Sequence, residues 1–173
     1  QWVFNANDDV YYFDKVTSTI YVGGYGEDGS RLFAVDVASG SQQWSYAGGE
    51  AGIIEVGAGT VYNLTGDSLH AVDTRTGEQD WRIGTQGGEA LTLGDDALYF
   101  GSYGGEGLYS LDPDTGETNW QVESIMFPYP FEYNGIVYVG ANSGAVYALD
   151  SLSGGQEWVW NGANDGVNTY PVV

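Results

Sequence analysis

Apolar and polar residues in this chain follow one another in short runs. Nowhere do they recur at the three-and-four spacing of an amphipathic helix of useful length. The runs are rich in Val, Tyr, Ile and Leu, and each is bounded by Gly, Asn or Asp, which predicts an all-β chain of short strands. Residues 127–160 show the pattern most clearly. A proline-flanked first strand at 127–133 meets Asn134-Gly135, a strong hairpin signal. A continuous apolar strand follows at 136–140 (IVYVG), then a turn at 142–144 and a third strand at 145–150 (AVYALD). A fourth strand is predicted at 157–160. Equivalent second strands are read at 20–23, 61–64 and 97–101, and third strands at 32–36, 69–73 and 108–112.

These sets of four recur. Asp36, Asp73, Asp112 and Asp150 are each followed by a glycine four residues on (Gly40, Gly77, Gly116, Gly154) and a tryptophan eight residues on (Trp44, Trp81, Trp120, Trp158). The aspartates step by 37, 39 and 38 residues, a period that marks a repeat array. Four-stranded units of this size match β-propeller blades, whereas a β-solenoid needs much shorter rungs. The predicted units are 5–46, 47–83, 84–122 and 123–160, within a single propeller segment spanning 1–173. Trp2 lies 42 residues before Trp44, so residues 1–4 are read as the outer strand of a preceding blade. Residues 170–173 repeat the pattern of 129–132, and 169–173 are read as the inner strand of a following one. The chain is thus expected to be an excised part of a larger ring, or a half-ring that pairs with another copy.

The segment Ala71, Asp73, Thr76, Gly77 and Trp81 fits Ala-x-Asp-x-x-Thr-Gly-x-x-x-Trp at every fixed position. The other units vary it only by Ser39 and Ser153 for threonine and Ser110 for alanine. This motif resembles the PQQ-type repeat of quinoprotein-like β-propellers, and the resemblance covers nearly the whole chain. It implies a ring of seven or eight blades in which the tryptophan docks on the neighbouring blade and the Asp-to-Gly segment is the turn into the outer strand. Physical chemistry supports those roles. An indole can bury a large area while its N–H finds a backbone acceptor. An aspartate can bond nearby backbone N–H groups in a turn, and a glycine can take φ > 0 there. The twelve motif residues are therefore read as scaffold.

Twenty-four acidic residues stand against Lys15, Arg31, Arg75 and Arg82, for a net charge of −20. A single lysine among so many carboxylates suits the surface of a salt-adapted protein, expected to be archaeal, rather than an acidic mesophilic one. With no basic patch to neutralise phosphates, nucleic acid is not an expected partner. No stretch has the apolar length of a membrane span, so direct membrane insertion is not expected. Family habit places such proteins outside the cell or on its surface.

Candidate chemistry is sparse. The resemblance to quinoprotein dehydrogenases would imply pyrroloquinoline quinone with calcium or a lanthanide. It would also imply a catalytic aspartate, a metal-binding glutamate and asparagine, an arginine near the quinone, a stacking tryptophan and a vicinal disulfide. Cysteine is absent, and no other member of that set aligns apart from tryptophans already read as docking residues. Acidic groups at 7–9, 95–96, 112–114 and 164–165 lack calcium-loop spacing and read as solvated turn carboxylates. His70, the single histidine, cannot build a zinc site or a triad by any recognisable motif and is read as packing or an edge residue. The glycine-rich loops at 23–30 and 102–107 lack a phosphate-loop signature, but their tyrosines Tyr25 and Tyr103 are candidate ligand contacts. The expected function is a non-enzymatic scaffold for protein interaction or ligand sensing, with no cofactor. Its partner would be a protein or an unknown small ligand, and its open blade faces would favour self-association. Two alternatives stand beside this. One is a fragment of a quinone-dependent dehydrogenase whose active residues lie in other blades; the other is a polysaccharide-binding surface domain.

Overall fold

The computed structural model describes residues 3–4, 9–16, 18–26, 29–48, 52–102, 107–125, 129–141 and 143–162. The described residues contain sixteen strands and no helix, hence none long and apolar enough to cross a membrane. The chain divides into two compact units, residues 1–84 and 85–173.

In the first unit, Asp9–Val16 (β1), Thr19–Gly26 (β2), Gly29–Asp36 (β3) and Gln42–Tyr46 (β4) form one antiparallel sheet in chain order. Ile53–Gly57 (β5), Thr60–Leu64 (β6), Ser68–Asp73 (β7) and Gln79–Gly84 (β8) form a second. The second unit repeats the plan. Gly88–Leu93 (β9), Leu98–Ser102 (β10), Gly107–Leu111 (β11) and Thr118–Val122 (β12) make one sheet. Tyr129–Tyr133 (β13), Ile136–Gly140 (β14), Val146–Asp150 (β15) and Gln156–Trp160 (β16) make the other. Each sheet is a simple meander, so neighbouring strands in sequence are neighbours in space.

Local chemistry accounts for the hairpins. Asn134 and Gly135 both take φ > 0, at 52° and 76°, the conformation whose twist matches flanking antiparallel strands. The segment read as a loop at 23–30 is different. There β2 runs on to Gly26 and β3 starts at Gly29, with Gly24 paired to Arg31 and Tyr25 to Ser30. Its glycines are accommodated in a longer hairpin because the alternating partners across the ladder stay in register, and Tyr25 consequently sits on a strand.

Within each sheet, one row of residues crosses the second, third and fourth strands. Tyr21 pairs with Ala34 and Ala34 with Trp44. The same row runs Tyr62–Ala71–Trp81, Tyr99–Ser110–Trp120 and Tyr138–Ala148–Trp158. The central residue is buried and small in every sheet, which lets the two aromatic rings meet above it. The ring centroids lie 5.8–6.0 Å apart with tilted planes, a favourable aromatic geometry. Just beyond the row the register shifts: Val35 pairs with Gln42, Val72 with Gln79, Leu111 with Thr118 and Leu149 with Gln156. One polar residue is left over each time (Gln43, Asp80, Asn119, Glu157), always the one before the tryptophan. This recurring bulge sharpens the local twist and aims the indole.

Apolar clusters join the sheets within each unit. Tyr21, Leu32, Ala34 and Trp44 of the first sheet pack with Ile54, Val61 and Val72 of the second. Tyr99, Leu108 and Trp120 of the third pack with Val137, Val139 and Leu149 of the fourth. A larger residue in the centre of the aromatic row would force the rings apart. Ala34→Val is accordingly expected to lower stability by about 1–3 kcal/mol, measurable as a shift of the urea midpoint with an unchanged slope; a neutral result would show that the row tolerates bulk.

Candidate functional site: the inter-blade seams

The repeat motif builds two things at once, a turn and a socket. In the turn, the Asp36, Asp73, Asp112 and Asp150 amides donate to the carbonyls of Ser41, Glu78, Glu117 and Gly155 at 2.8–2.9 Å. The glycine four residues on donates back to the aspartate carbonyl in all four copies. Each carboxylate accepts from the amide three residues later, at 2.7 Å from Ser39 and Thr76, 2.9 Å from Thr115 and 2.8 Å from Ser153. The hydroxyl of that third residue relays the bonding. At Ser39, Thr115 and Ser153 it donates to the carboxylate, and in all four turns it accepts from the amide two residues further on. Only the hydroxyl is needed, which explains why serine and threonine exchange freely there.

These bonds hold the motif carboxyls below their ordinary range. The Ser39, Thr115 and Ser153 hydroxyls are the main cause at Asp36, Asp112 and Asp150, and the Thr76 amide is at Asp73.

The socket is formed between sheets. The Trp44 Nε1–H donates to the Thr74 carbonyl at 2.8 Å, and the Trp120 Nε1–H donates to the Ser151 carbonyl at 2.9 Å. In both cases the acceptor follows the motif aspartate of the next sheet. The motif glycine of that sheet lies against the indole. A Cβ on Gly77 would fall 2.7 Å from Trp44 Cδ2, and one on Gly154 would fall 2.7 Å from Trp120 Cδ2. Glycine is thus required twice over, for φ of 73° and 68° and for the approach of the ring. Trp44 and Trp120 are 8% and 9% exposed as a result.

The other two motif tryptophans differ. Trp81 is half-buried beside Tyr62. Trp158 keeps its Tyr138 partner but is 47% exposed, and its neighbours on β16, Val159 and Trp160, are exposed as well. Every residue of β16 is exposed, in contrast to the buried tryptophan of β4 and β12.

The strand-two tyrosines were not singled out in the sequence, yet Tyr21 and Tyr99 complete the two sockets. Burial, with the Glu132 carboxylate adding to it, pushes the Tyr99 phenol up to about 12, and burial raises Tyr21 as well. Glu132 itself bridges sheets, accepting from the amides of Gly135 at 2.8 Å and Asp95 at 3.2 Å. Beside the Trp120 socket an open groove of about 360 Å³ is lined by Asp96, Ala97, Asp112, Asn119, Ser151 and Leu152. Among the described residues no three His, Cys, Asp or Glu side chains gather as a metal site. Tyr103, the side chain of Tyr25 and the acidic groups at 7–8 and 164–165 lie outside the described residues, as do Trp2 and residues 169–173.

A family model described as "Outer membrane protein assembly factor BamB", of the PQQ repeat type, matches residues 28–162. The chain belongs to this family of PQQ-repeat β-propellers. Its four sheets are therefore propeller blades, and the sockets are the seams between them. Solved structures agree on the fold. The computationally designed Ika8 protein superposes with a TM-score of 0.80 at 19% identity, over 91% of this chain and 51% of that one. BamB from Moraxella catarrhalis gives 0.67 at 16% identity, over 93% and 64%. Quinohemoprotein alcohol dehydrogenase from Comamonas testosteroni gives 0.71 at 16% identity, over 95% and 37%. The chain thus spans roughly one third to two thirds of the length of these relatives. No curated protein sequence matches it.

Two outcomes test the turn and the socket. Gly154→Ala is expected to cost about 2–4 kcal/mol, combining left-handed strain with overpacking against Trp120. Gly135→Ala has positive φ but no close neighbour and should cost only about 1 kcal/mol. Equal losses in chemical denaturation would remove the socket from the account. The depressed motif carboxyls add stability that is complete above their ordinary range and is lost as pH falls through it. Acid unfolding should therefore set in below about pH 4, and Asp112→Asn should flatten the stability slope in that window when followed by circular dichroism.

Proposed function

We propose that the chain is a non-enzymatic PQQ-repeat scaffold whose working surface is a blade face, with a salt-adapted acidic exterior. The observation that carries this reading is Trp158. It stands in the same aromatic row as Trp44 and Trp120 but is about five times as exposed, beside Trp160 on an edge strand. A ring of this size left open to water is a contact point of the kind that dominates protein interfaces. Edge strands without lysine or proline also invite pairing, and β16 has neither. The family's description as an assembly factor supports a protein partner, and self-association of this face with the turn-bearing side of a second copy is the simplest form of it. The location we propose is extracellular or cell-surface.

A quinone-dependent dehydrogenase is the second reading, favoured by the likeness to the Comamonas testosteroni enzyme. The turn carboxylates described above are occupied by their own amides and hydroxyls, and this supports the scaffold over a cofactor site within these blades.

Light scattering in molar KCl tests the scaffold reading. Concentration-dependent mass above the monomer is expected for the native chain and should be abolished by Trp158→Ala, which leaves the internal seams intact. Unchanged association in the variant would discard this face. Pyrroloquinoline quinone with calcium should leave absorbance and tryptophan fluorescence unchanged; a saturable change would favour the dehydrogenase. Lowering KCl below a few tenths molar should loosen the fold through carboxylate repulsion, and a melting curve indifferent to salt would overturn the halophilic reading.

A further inference from the structure

The two described seams differ at one pair of positions. Tyr46 on β4 and Val122 on β12 hold equivalent places in the strand register, opposite Leu32 and Leu108. His70 on β7 and Tyr147 on β15 are likewise equivalent, each just before the alanine of the aromatic row. In the second unit Val122 and Tyr147 pack on the apolar cluster of the seam. In the first unit the pair is polar: the Tyr46 hydroxyl lies 3.0 Å from His70 Nδ1, with the rings edge-on at 5.8 Å. His70 is 1% exposed, so a titratable group is buried where one blade meets the next.

The proton inventory at this contact is constrained. The Tyr46 hydroxyl donates to Gln79 Oε1, which leaves the phenolic oxygen to accept. His70 meets this hydroxyl through Nδ1. The groups facing it come from each packed element. Tyr46 approaches from β4 and the Arg82 side chain from β8. The Asp67 carboxylate reaches in from the β6–β7 turn, and the uncharged Asn63 is its partner on β6. Arg82 Nη2 donates to Ser68 Oγ at 2.8 Å, and Ser68 Oγ donates to Asp67 Oδ1 at 2.7 Å. Asp67 is thus already hydrogen-bonded to Ser68, and a second positive charge at His70 would face an existing guanidinium.

We propose that His70 makes the seam between the first two blades a pH-responsive joint, closed when the imidazole is neutral and loosened when it is protonated. Burial, then Arg82, hold the His70 pKa below its ordinary value of 6.5, which fixes the direction. A folded pKa below the unfolded one means that the closed seam is fully favoured above about pH 6.5 and weakens as pH falls below it. The motif carboxylates titrate well below this window, so the two responses separate.

The test is hydrogen exchange across this window, corrected for intrinsic rates and run in molar KCl. From about pH 7.5 to about pH 5.5, amide protection in β4 and β7 should fall by up to roughly tenfold. Protection in β12 and β15, at the Val122–Tyr147 seam, should hold. His70→Gln should remove the difference between the seams; a fall that persists in this variant overturns the proposal. Should that variant fail to fold, the native protein decides alone. The single histidine gives one imidazole C2–H resonance, whose titration midpoint must lie below about pH 6.5, with protection in β4 and β7 falling between about pH 6.5 and that midpoint. Titration without any change in exchange, or a change lying wholly outside that interval, refutes the joint.

Discussion

Everything in this fold depends on an indole laid over a glycine. A four-stranded twisted sheet cannot bury both of its faces by itself, so each blade needs a neighbour. The Trp44–Gly77 and Trp120–Gly154 contacts supply it with one large side chain on one sheet and the absence of any side chain on the next. The indole N–H, which would otherwise be stranded at the seam, is satisfied by the carbonyl beside that glycine. The Asp-to-Gly turn is what holds this carbonyl and this glycine in place. One short motif therefore specifies a local bend and a long-range contact together.

That double duty explains what the sequence made legible. Asp, Ser/Thr, Gly and Trp keep a constant spacing because their bonds lie within one turn and one strand, so four copies align without gaps. The strand-two tyrosines are equally regular in space, two of them built into the described seams, but they reach the tryptophan across two ladders. Tyr21, Tyr62, Tyr99 and Tyr138 precede their aspartates by 15, 11, 13 and 12 residues, because the hairpins between strands two and three differ in length. A fixed neighbour in space became a variable one in sequence. The bulge was hidden in a similar way, although the polar residue before every tryptophan was its trace. His70 carried no local signal either, since its burial follows from a tyrosine on another blade. Tyr25 shows the converse error: glycine content suggested a loop where strand pairing continues.

The acidity of the chain also divides on inspection. Among the described residues most carboxylates are exposed, where like charges repel one another. The four motif aspartates have a different task, since they are the acceptors around which each turn closes. Glu132 is similar, tying a hairpin of one blade to the turn of its neighbour. Exposed carboxylates and a hydrogen-bonded skeleton are thus made from the same residue type, and only the partners tell them apart.

The tryptophan–glycine seam is not symmetric: one side always offers the ring and the other always offers the turn. A surface that obeys this rule has a polarity, and two identical ring-bearing faces cannot satisfy each other by a two-fold axis. Whatever covers Trp158 in the manner of the internal seams must present the opposite, turn-bearing side. Contacts of that kind are heterologous, so they add units in one direction only and end either by closing a circle or not at all.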